Sequence, residues 1–226
     1  MPVFKLSNQI RFPDPLLAER NGLLAVGGDL RPERLLFAYS LGIFPWYSNG
    51  DPILWWFTSP RLVIFLDEFH IPRRVARLAR NSNMRITRDR AFTEVINACR
   101  NTRLQNGEET WILPEITAAF TRLHKLGFAH SVECWLDEKL VGGLYGICMD
   151  RIFFGESMFS MVNSASQLAL IALVEYLCSQ GFTLIDCQMT TKHLLRFGAR
   201  EISGKYFLQL LNENIREIKP HDNWKN

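Results

Sequence analysis

The stretch AHSVECWLDEKLVGGLYGICMDRIFF, Ala129 to Phe154, reads as three strands, Ala129–Trp135, Leu140–Cys148 and Ile152–Phe154. An Asp137-Glu138 turn and a turn at Asp150 separate them, so the segment is an antiparallel meander. A helix from Pro114 to Lys125, closed by Gly127, precedes it. A long apolar helix, Ala165 to Ser179, follows; it ends near Gly181 and feeds a strand, Phe182–Gln188. Helix, meander, long helix, strand make an α+β unit with a mixed sheet. Shorter helices are expected after Thr190 and over Tyr206–Ile215.

Upstream the pattern is different. Turn signals crowd the first stretch: Phe12-Pro13-Asp14-Pro15, Asn21-Gly22 and Gly27-Gly28-Asp29. Asp29 is the expected cap of a helix with Pro32 early in it, closing at Gly42. An aromatic-proline run, Ile43 to Tyr47, and Ile53-Leu54-Trp55-Trp56-Phe57 come next. Adjacent tryptophans on a strand face opposite ways, so at least one of Trp55 and Trp56 belongs to the core. The expected division is a small amino-terminal unit, residues 1–65, and a larger unit, residues 66–226. Within the larger unit, ahead of the meander, stand a short strand, Met84–Thr87, a helix capped by Asp89 running to about Arg100, and a polar loop, Gln105–Glu109.

A chain of 226 residues, 47% hydrophobic and 22% charged, buries a core without staples. The five cysteines form no Cys-x-x-Cys pair, and the five histidines form no His-x-x-x-His pair. A disulfide framework and a zinc motif are therefore not expected. No glycine-rich phosphate loop is present, and no apolar run is long enough to cross a bilayer. The first residues lack a basic segment followed by an apolar run, so no signal peptide is expected. The default is a cytoplasmic protein without metal, cofactor or membrane contact.

Net charge is only +3, but His70–Arg103 holds nine arginines against Asp89 and Glu94, while the remainder is net negative. Arg73, Arg77 and Arg80 fall at i, i+4, i+7, with Arg74 beside them and Ile71, Val75 and Leu78 on another face. Charge runs are often only solvated helix surface. Seven uncompensated positives favour contact with a polyanion's phosphates.

The element order is similar to the acetyltransferase-like (GNAT) architecture, an analogy of fold rather than of function. Acyl-CoA enzymes of that fold hold pyrophosphate on an Arg/Gln-x-x-Gly-x-Gly/Ala turn. Arg196-Phe197-Gly198-Ala199 lacks that spacing. An acyl donor other than coenzyme A, carried on nucleic acid, suits the arginine block.

Seven blocks carry a closer resemblance: Asn21–Leu30, Gly42–Trp46, Glu109–Ile112, His130–Glu133, Leu140–Gly146, Phe154–Ser160 and Ile185–Gln188. In this order, from about Phe12 to Leu211, the chain resembles the bacterial leucyl/phenylalanyl-tRNA–protein transferases. The resemblance implies transfer of leucine or phenylalanine, less well methionine, from aminoacyl-tRNA to a protein's amino-terminal arginine or lysine. The product is marked for regulated proteolysis, and no DNA partner is expected. Two rivals are an enzyme acylating another amine, such as a cell-wall peptide lysine, and a non-catalytic RNA-binding module.

An aminoacyl ester is already activated, so such a reaction needs no enzyme nucleophile. It needs an unprotonated amine and a group that steadies the oxyanion. Asp186 and Gln188, two apart on a strand, are expected to share one face and Cys187 to face the other. Taken alone, an acid and an amide at a strand end are more often helix caps. The resemblance implies that Asp186 and Gln188 are the catalytic pair and leaves open whether Asp186 or the tRNA's ribose hydroxyl takes the proton. Glu156, expected where its strand leaves the sheet, suits a basic acceptor. Met158, Leu144, Ile185, and Leu173 with Leu177 at i, i+4 are candidates for an apolar substrate pocket, though helical leucines are core first. The resemblance places Tyr39, Trp46 and Trp111 at the terminal adenosine. Phe120, a candidate tRNA contact, stands where some relatives have tyrosine, and Leu144 where some have methionine. Gln167 and Gly204 replace an expected lysine and a frequent arginine.

Overall fold

In the computed structural model the described residues are 3–107, 109–221 and 224. Met1, Pro2 and Glu108, which belong to the amino-terminal and polar-loop readings above, lie outside them. The chain opens with β1 (Phe4–Leu6), β2 (Leu23–Gly27), α1 (Pro32–Ser40), β3 (Phe44–Pro45) and β4 (Leu54–Trp56). Their strands form a small sheet in the order β1-β2-β4-β3. Asp29 does not cap α1, which begins after Arg31. Its carboxylate is drawn to two arginines instead, Arg31 at 3.0 Å and the buried Arg34 at 3.2 Å. Trp55 is fully buried and Trp56 half-buried.

Next come β5 (Arg61–Phe65), α2 (Arg73–Asn81), β6 (Arg85–Arg88), α3 (Phe92–Gln105) and α4 (Pro114–Lys125). The meander is β7 (Ala129–Leu136), β8 (Lys139–Met149) and β9 (Ile152–Ser160). The chain continues through α5 (Ala165–Ser179), β10 (Leu184–Gln188), α6 (Lys192–Leu195), β11 (Arg200–Ile202) and α7 (Gly204–Asn214). These strands form a seven-stranded sheet ordered β11-β5-β10-β9-β8-β7-β6. Within this sheet, among the described residues, only β9 and β10 pair in parallel. The α+β class with a mixed sheet is what the chain adopts. β5 sits inside the larger sheet, between β11 and β10, so the sheets hand over before Arg61, ahead of the division expected at residue 65.

Asp137 and Glu138 both take positive φ, 48° and 57°, as a two-residue hairpin turn of the right twist requires. Asp89 caps nothing; α3 starts at Phe92. The Asp89 carboxylate accepts the Ser131 N–H at 2.9 Å and faces His130 Nδ1 at 2.8 Å.

Both faces of the large sheet are covered, which explains why its strands are apolar almost throughout. Val132, Cys134, Leu144 and Cys148 join the core built on α5, and Val75 packs α2 onto the same layer. Tyr145, Ile147 and Met149 face the other way, with residues of α1, α3, α4, α7 and the small sheet. Gly142 lies under the first turn of α5, where any Cβ would collide with Ala165. Each fully buried leucine in these layers contributes about 1.5–3 kcal/mol.

Candidate active site

The parallel ladder between β9 and β10 runs from Leu184↔Ile152 to Asp186↔Phe154 and stops there. Both strands are irregular at that point. On β9, Ser157 pairs with Tyr145 and Gly155 with Gly146, which leaves Glu156 as an extra residue in a bulge. The strand therefore does not leave the sheet after Gly155, as the sequence suggested, but continues to Ser160. The bulge also shifts the alternation, so Phe154 and Phe159, five apart, both join the α3-side core. On β10, Asp186 pairs with Val63 and Gln188 with Leu62, leaving Cys187 extra. Gln188 sits at φ 53°, a left-handed conformation that costs a non-glycine residue about 1 kcal/mol or more. Bulges re-aim side chains, and two facing each other open a gap.

A pocket of about 420 Å³ occupies this gap, walled by Gly155–Met158 of β9 and by Ile185, Cys187 and Gln188 of β10. Its polar part centres on Glu156, whose Oε1 accepts the Tyr39 hydroxyl at 2.6 Å and faces Gln188 Nε2 at a long 3.5 Å. Burial, opposed by the Tyr39 hydrogen bond and reinforced by the Asp186 charge, pushes the Glu156 carboxyl up to about 8. Its apolar part is made by Leu144, Met158, Leu170, Leu173 and Ile185. Trp46 and Trp111 also line it, and Trp46 is 37% exposed, with its ring edge-on to Trp56 at 5.6 Å.

Asp186 is fully buried and is not part of the pocket wall. Arg61 Nε donates to its Oδ1 at 2.8 Å and Arg61 Nη2 to its Oδ2 at 2.6 Å. The Gln188 N–H also donates to Oδ1, at 3.0 Å. The Arg61 guanidinium lies over the rings of Phe207, Phe44 and Phe57 at 4.6, 5.0 and 5.9 Å. The Gln188 carbonyl accepts the Thr58 hydroxyl at 3.1 Å, and Met189 N–H closes the turn onto the Cys187 carbonyl at 2.6 Å. Asp186 thus holds the backbone of Gln188 while both its own oxygens are occupied.

Four other expectations need correction. Leu177 lies wholly in the core below the pocket, one helical turn beyond Leu173. Tyr39 is fully buried, edge-on to Phe154 at 5.3 Å, so its ring offers no face to a base; its hydroxyl serves Glu156. Phe120 is buried against Tyr145, 5.6 Å between centroids, where packing of α4 on the sheet encloses it. Cys187 does reach the pocket wall, contrary to a strict alternation with Gln188, because the bulge interrupts the period. Burial raises its thiol far above the usual range, so it stays protonated and poorly nucleophilic. Arg73, Arg74, Arg77 and Arg80 are all exposed along α2.

Sequence reasoning missed Arg61. The signal was a lone cation in the apolar strand Arg61–Phe65 and a lone acid in the neighbouring strand Leu184–Gln188. Opposite charges isolated in two buried strands must pair, because neither tolerates burial alone. Among the described residues, Asp89, His124 and His130 bring ligand atoms within 4.8 Å of one another. Hydrogen-bond partners account for them: His130 faces Asp89 and the Gly127 carbonyl at 3.0 Å, and His124 faces the Ala129 carbonyl at 2.8 Å.

The pocket of this mixed sheet lies where the parallel β9–β10 ladder ends. In fold the chain is similar to the solved structure of FemX, at a TM-score of 0.51 and 11% identity, over 79% of this chain and 70% of that one. That likeness shows the fold alone. The family profile described as leucyl/phenylalanyl-tRNA protein transferase matches residues 63–212, and the one described as its N-terminal domain matches residues 28–59. The leucyl/phenylalanyl-tRNA–protein transferase of Desulfotalea psychrophila is 54% identical over 225 residues, covering 100% of this chain and 99% of its own length. That of Syntrophobacter fumaroxidans is 52% identical, covering 100% and 96%. The chain belongs to the leucyl/phenylalanyl-tRNA–protein transferase family and is an aminoacyltransferase.

Proposed function

We propose that the pocket moves leucine or phenylalanine, and less readily methionine, from tRNA to the α-amine of an amino-terminal arginine or lysine, giving a product destined for regulated proteolysis. The observation that carries this reading is the two-sided pocket: an apolar wall beside Glu156, a carboxyl raised to about 8. An α-amine has an ordinary pKa of about 8, so only about 10% is neutral at pH 7. A base matched to that value takes the proton most efficiently. The same acid suits the acceptor's cationic side chain.

In this reading the amine attacks the ester carbonyl directly, the ester C–O bond breaks, and the ribose oxygen leaves with the proton that Glu156 has taken from the amine. Glu156 receives the amine's proton. Gln188 orients the amine, and Asp186 is a positioning residue acting through the Gln188 backbone. Leu144, Met158, Leu173 and Ile185 take the donor side chain, with Leu177 supporting them from below. Trp46 and Trp111 stack on the terminal adenosine, worth roughly 1–3 kcal/mol per base. Branching at Cβ crowds the reacting carbonyl, so isoleucine is a poor donor. We also place the reaction in the cytoplasm, where charged tRNA is; no helix among the described residues is long and apolar enough to cross a membrane. The division into a small first unit and a catalytic second unit is part of the same proposal.

The test is transfer from Leu-, Phe- and Ile-tRNA to peptides beginning with Arg, Lys or Ala. Leu and Phe should transfer to Arg and Lys peptides only. Equal use of Ala peptides, or none of any, would remove the reading.

The exposed arginines of α2 are proposed to hold tRNA phosphates. Binding should weaken steeply with salt, and each of Arg73→Gln, Arg74→Gln, Arg77→Gln and Arg80→Gln should reduce the log–log salt slope by about 1. Filter binding of Leu-tRNA across a salt series reads this; an unchanged slope in the fourfold variant contradicts it.

A further inference from the structure

Tyr145 is fully buried, yet its hydroxyl has no hydrogen-bond partner among the described residues. Native proteins rarely leave such a group unmatched. The ring is fixed: it meets Phe120 edge-on at 5.6 Å and Phe92 edge-on at 5.9 Å. Tyr145 pairs with Ser157 across the β8–β9 ladder, beside the bulged Glu156, and it lines the pocket. Glu156 and Arg103, whose charges act on the phenol, line the same pocket as Tyr145. Burial keeps the phenol neutral, and therefore a donor.

We propose that the Tyr145 hydroxyl donates a hydrogen bond to the carbonyl oxygen of the aminoacyl ester as that oxygen gathers negative charge. This rests on the transfer reaction proposed above. The chemistry of the substrates selects the partner. The donor side chain is apolar, and the attacking amine is met by Glu156 and Gln188. The ester carbonyl only accepts, and it becomes the strongest acceptor in the pocket during reaction. Tyr145 keeps its own proton throughout; the new N–C bond, the broken C–O bond and the proton moved through Glu156 balance without it. A donor held in place by packing has no partner to give up when the oxyanion forms.

Tyr145→Phe removes the hydroxyl alone and leaves the ring between Phe92 and Phe120. Single-turnover transfer of leucine from Leu-tRNA to an Arg-peptide should slow by about 10²–10³-fold at saturation. The apparent affinities for Leu-tRNA and peptide should stay within about twofold, since the bond strengthens only as charge develops. The melting temperature should be unchanged or higher, because an unmatched polar group has gone. An unchanged rate would overturn the proposal, as would a loss confined to substrate affinity or a lowered melting temperature, which would make the hydroxyl structural. Wild-type enzyme that transfers while Tyr145→Phe matches it defeats this inference alone; wild-type enzyme that fails to transfer defeats the reading beneath it.

Discussion

Arg61→Met is expected to destabilise the fold by about 3–5 kcal/mol, the loss typical of stripping one partner from a buried ion pair. Asp186 would be left fully buried with a charge and no cation. Arg61 joins β5 to β10, and through Asp186 it also fixes the left-handed turn at Gln188. Asp186→Leu in the same chain should restore much of the stability, since replacing both charges by apolar groups is often neutral or better. It should not restore transfer, because nothing then holds the Gln188 N–H. Urea unfolding of the single and double variants measures the first effect, and single-turnover transfer measures the second. A double variant as active as wild type would show that the Gln188 turn needs no carboxylate. Asp186→Asn, which leaves Arg61 buried without a countercharge, is expected to lose stability along with rate.

Glu156→Gln should depress transfer by about 10²–10⁴-fold, the usual share of general acid–base catalysis. The pH profile carries the sharper signature. In the wild type two protons leave near pH 8, one from the amine and one from Glu156, so log(kcat/KM) should rise with a slope approaching two below about pH 7. The amide variant should keep only the amine's slope of one. Stability moves the opposite way. The folded Glu156 carboxyl lies above its unfolded value of 4.5, so its contribution is full below that pH and is lost as pH rises through about 8. The variant, with no proton to lose, should outlast wild type in thermal melts at pH 9. Identical pH slopes in the two proteins would remove Glu156 from the proton's path.

The meander and α5 were legible in the sequence because period-two strands, two tight acidic turns and an uninterrupted apolar helix are local signals. α4 was legible for a similar reason, since Pro114 opens it and Gly127 closes it. The bulges were not legible, because an extra residue in a strand shows only against its partner strand. Without the Glu156 bulge, β9 read as ending at Phe154; without the one at Cys187, the alternation put Asp186 and Gln188 on one open face. Tyr39 and Phe120 were read as tRNA contacts, yet burial is a tertiary property that residue type does not disclose. Asp186 was recognised as important from its motif, but its role depends on Arg61, 125 residues away. The charge block on α2 needed no partner to be seen, and it is exposed as its pattern required.

In the proposed mechanism the pocket joins amine and ester directly, with no acyl group resting on the enzyme. Rapid-quench single-turnover transfer of labelled leucine by Cys187→Ala is the deciding measurement. The thiol is the one nucleophilic sulfur on the pocket wall among the described residues, and burial holds it protonated. The variant should transfer at close to the wild-type rate, and label should pass from tRNA to peptide without appearing on the protein. A folded Cys187→Ala protein that cannot transfer, together with hydroxylamine-labile leucine on the wild type, would contradict direct transfer.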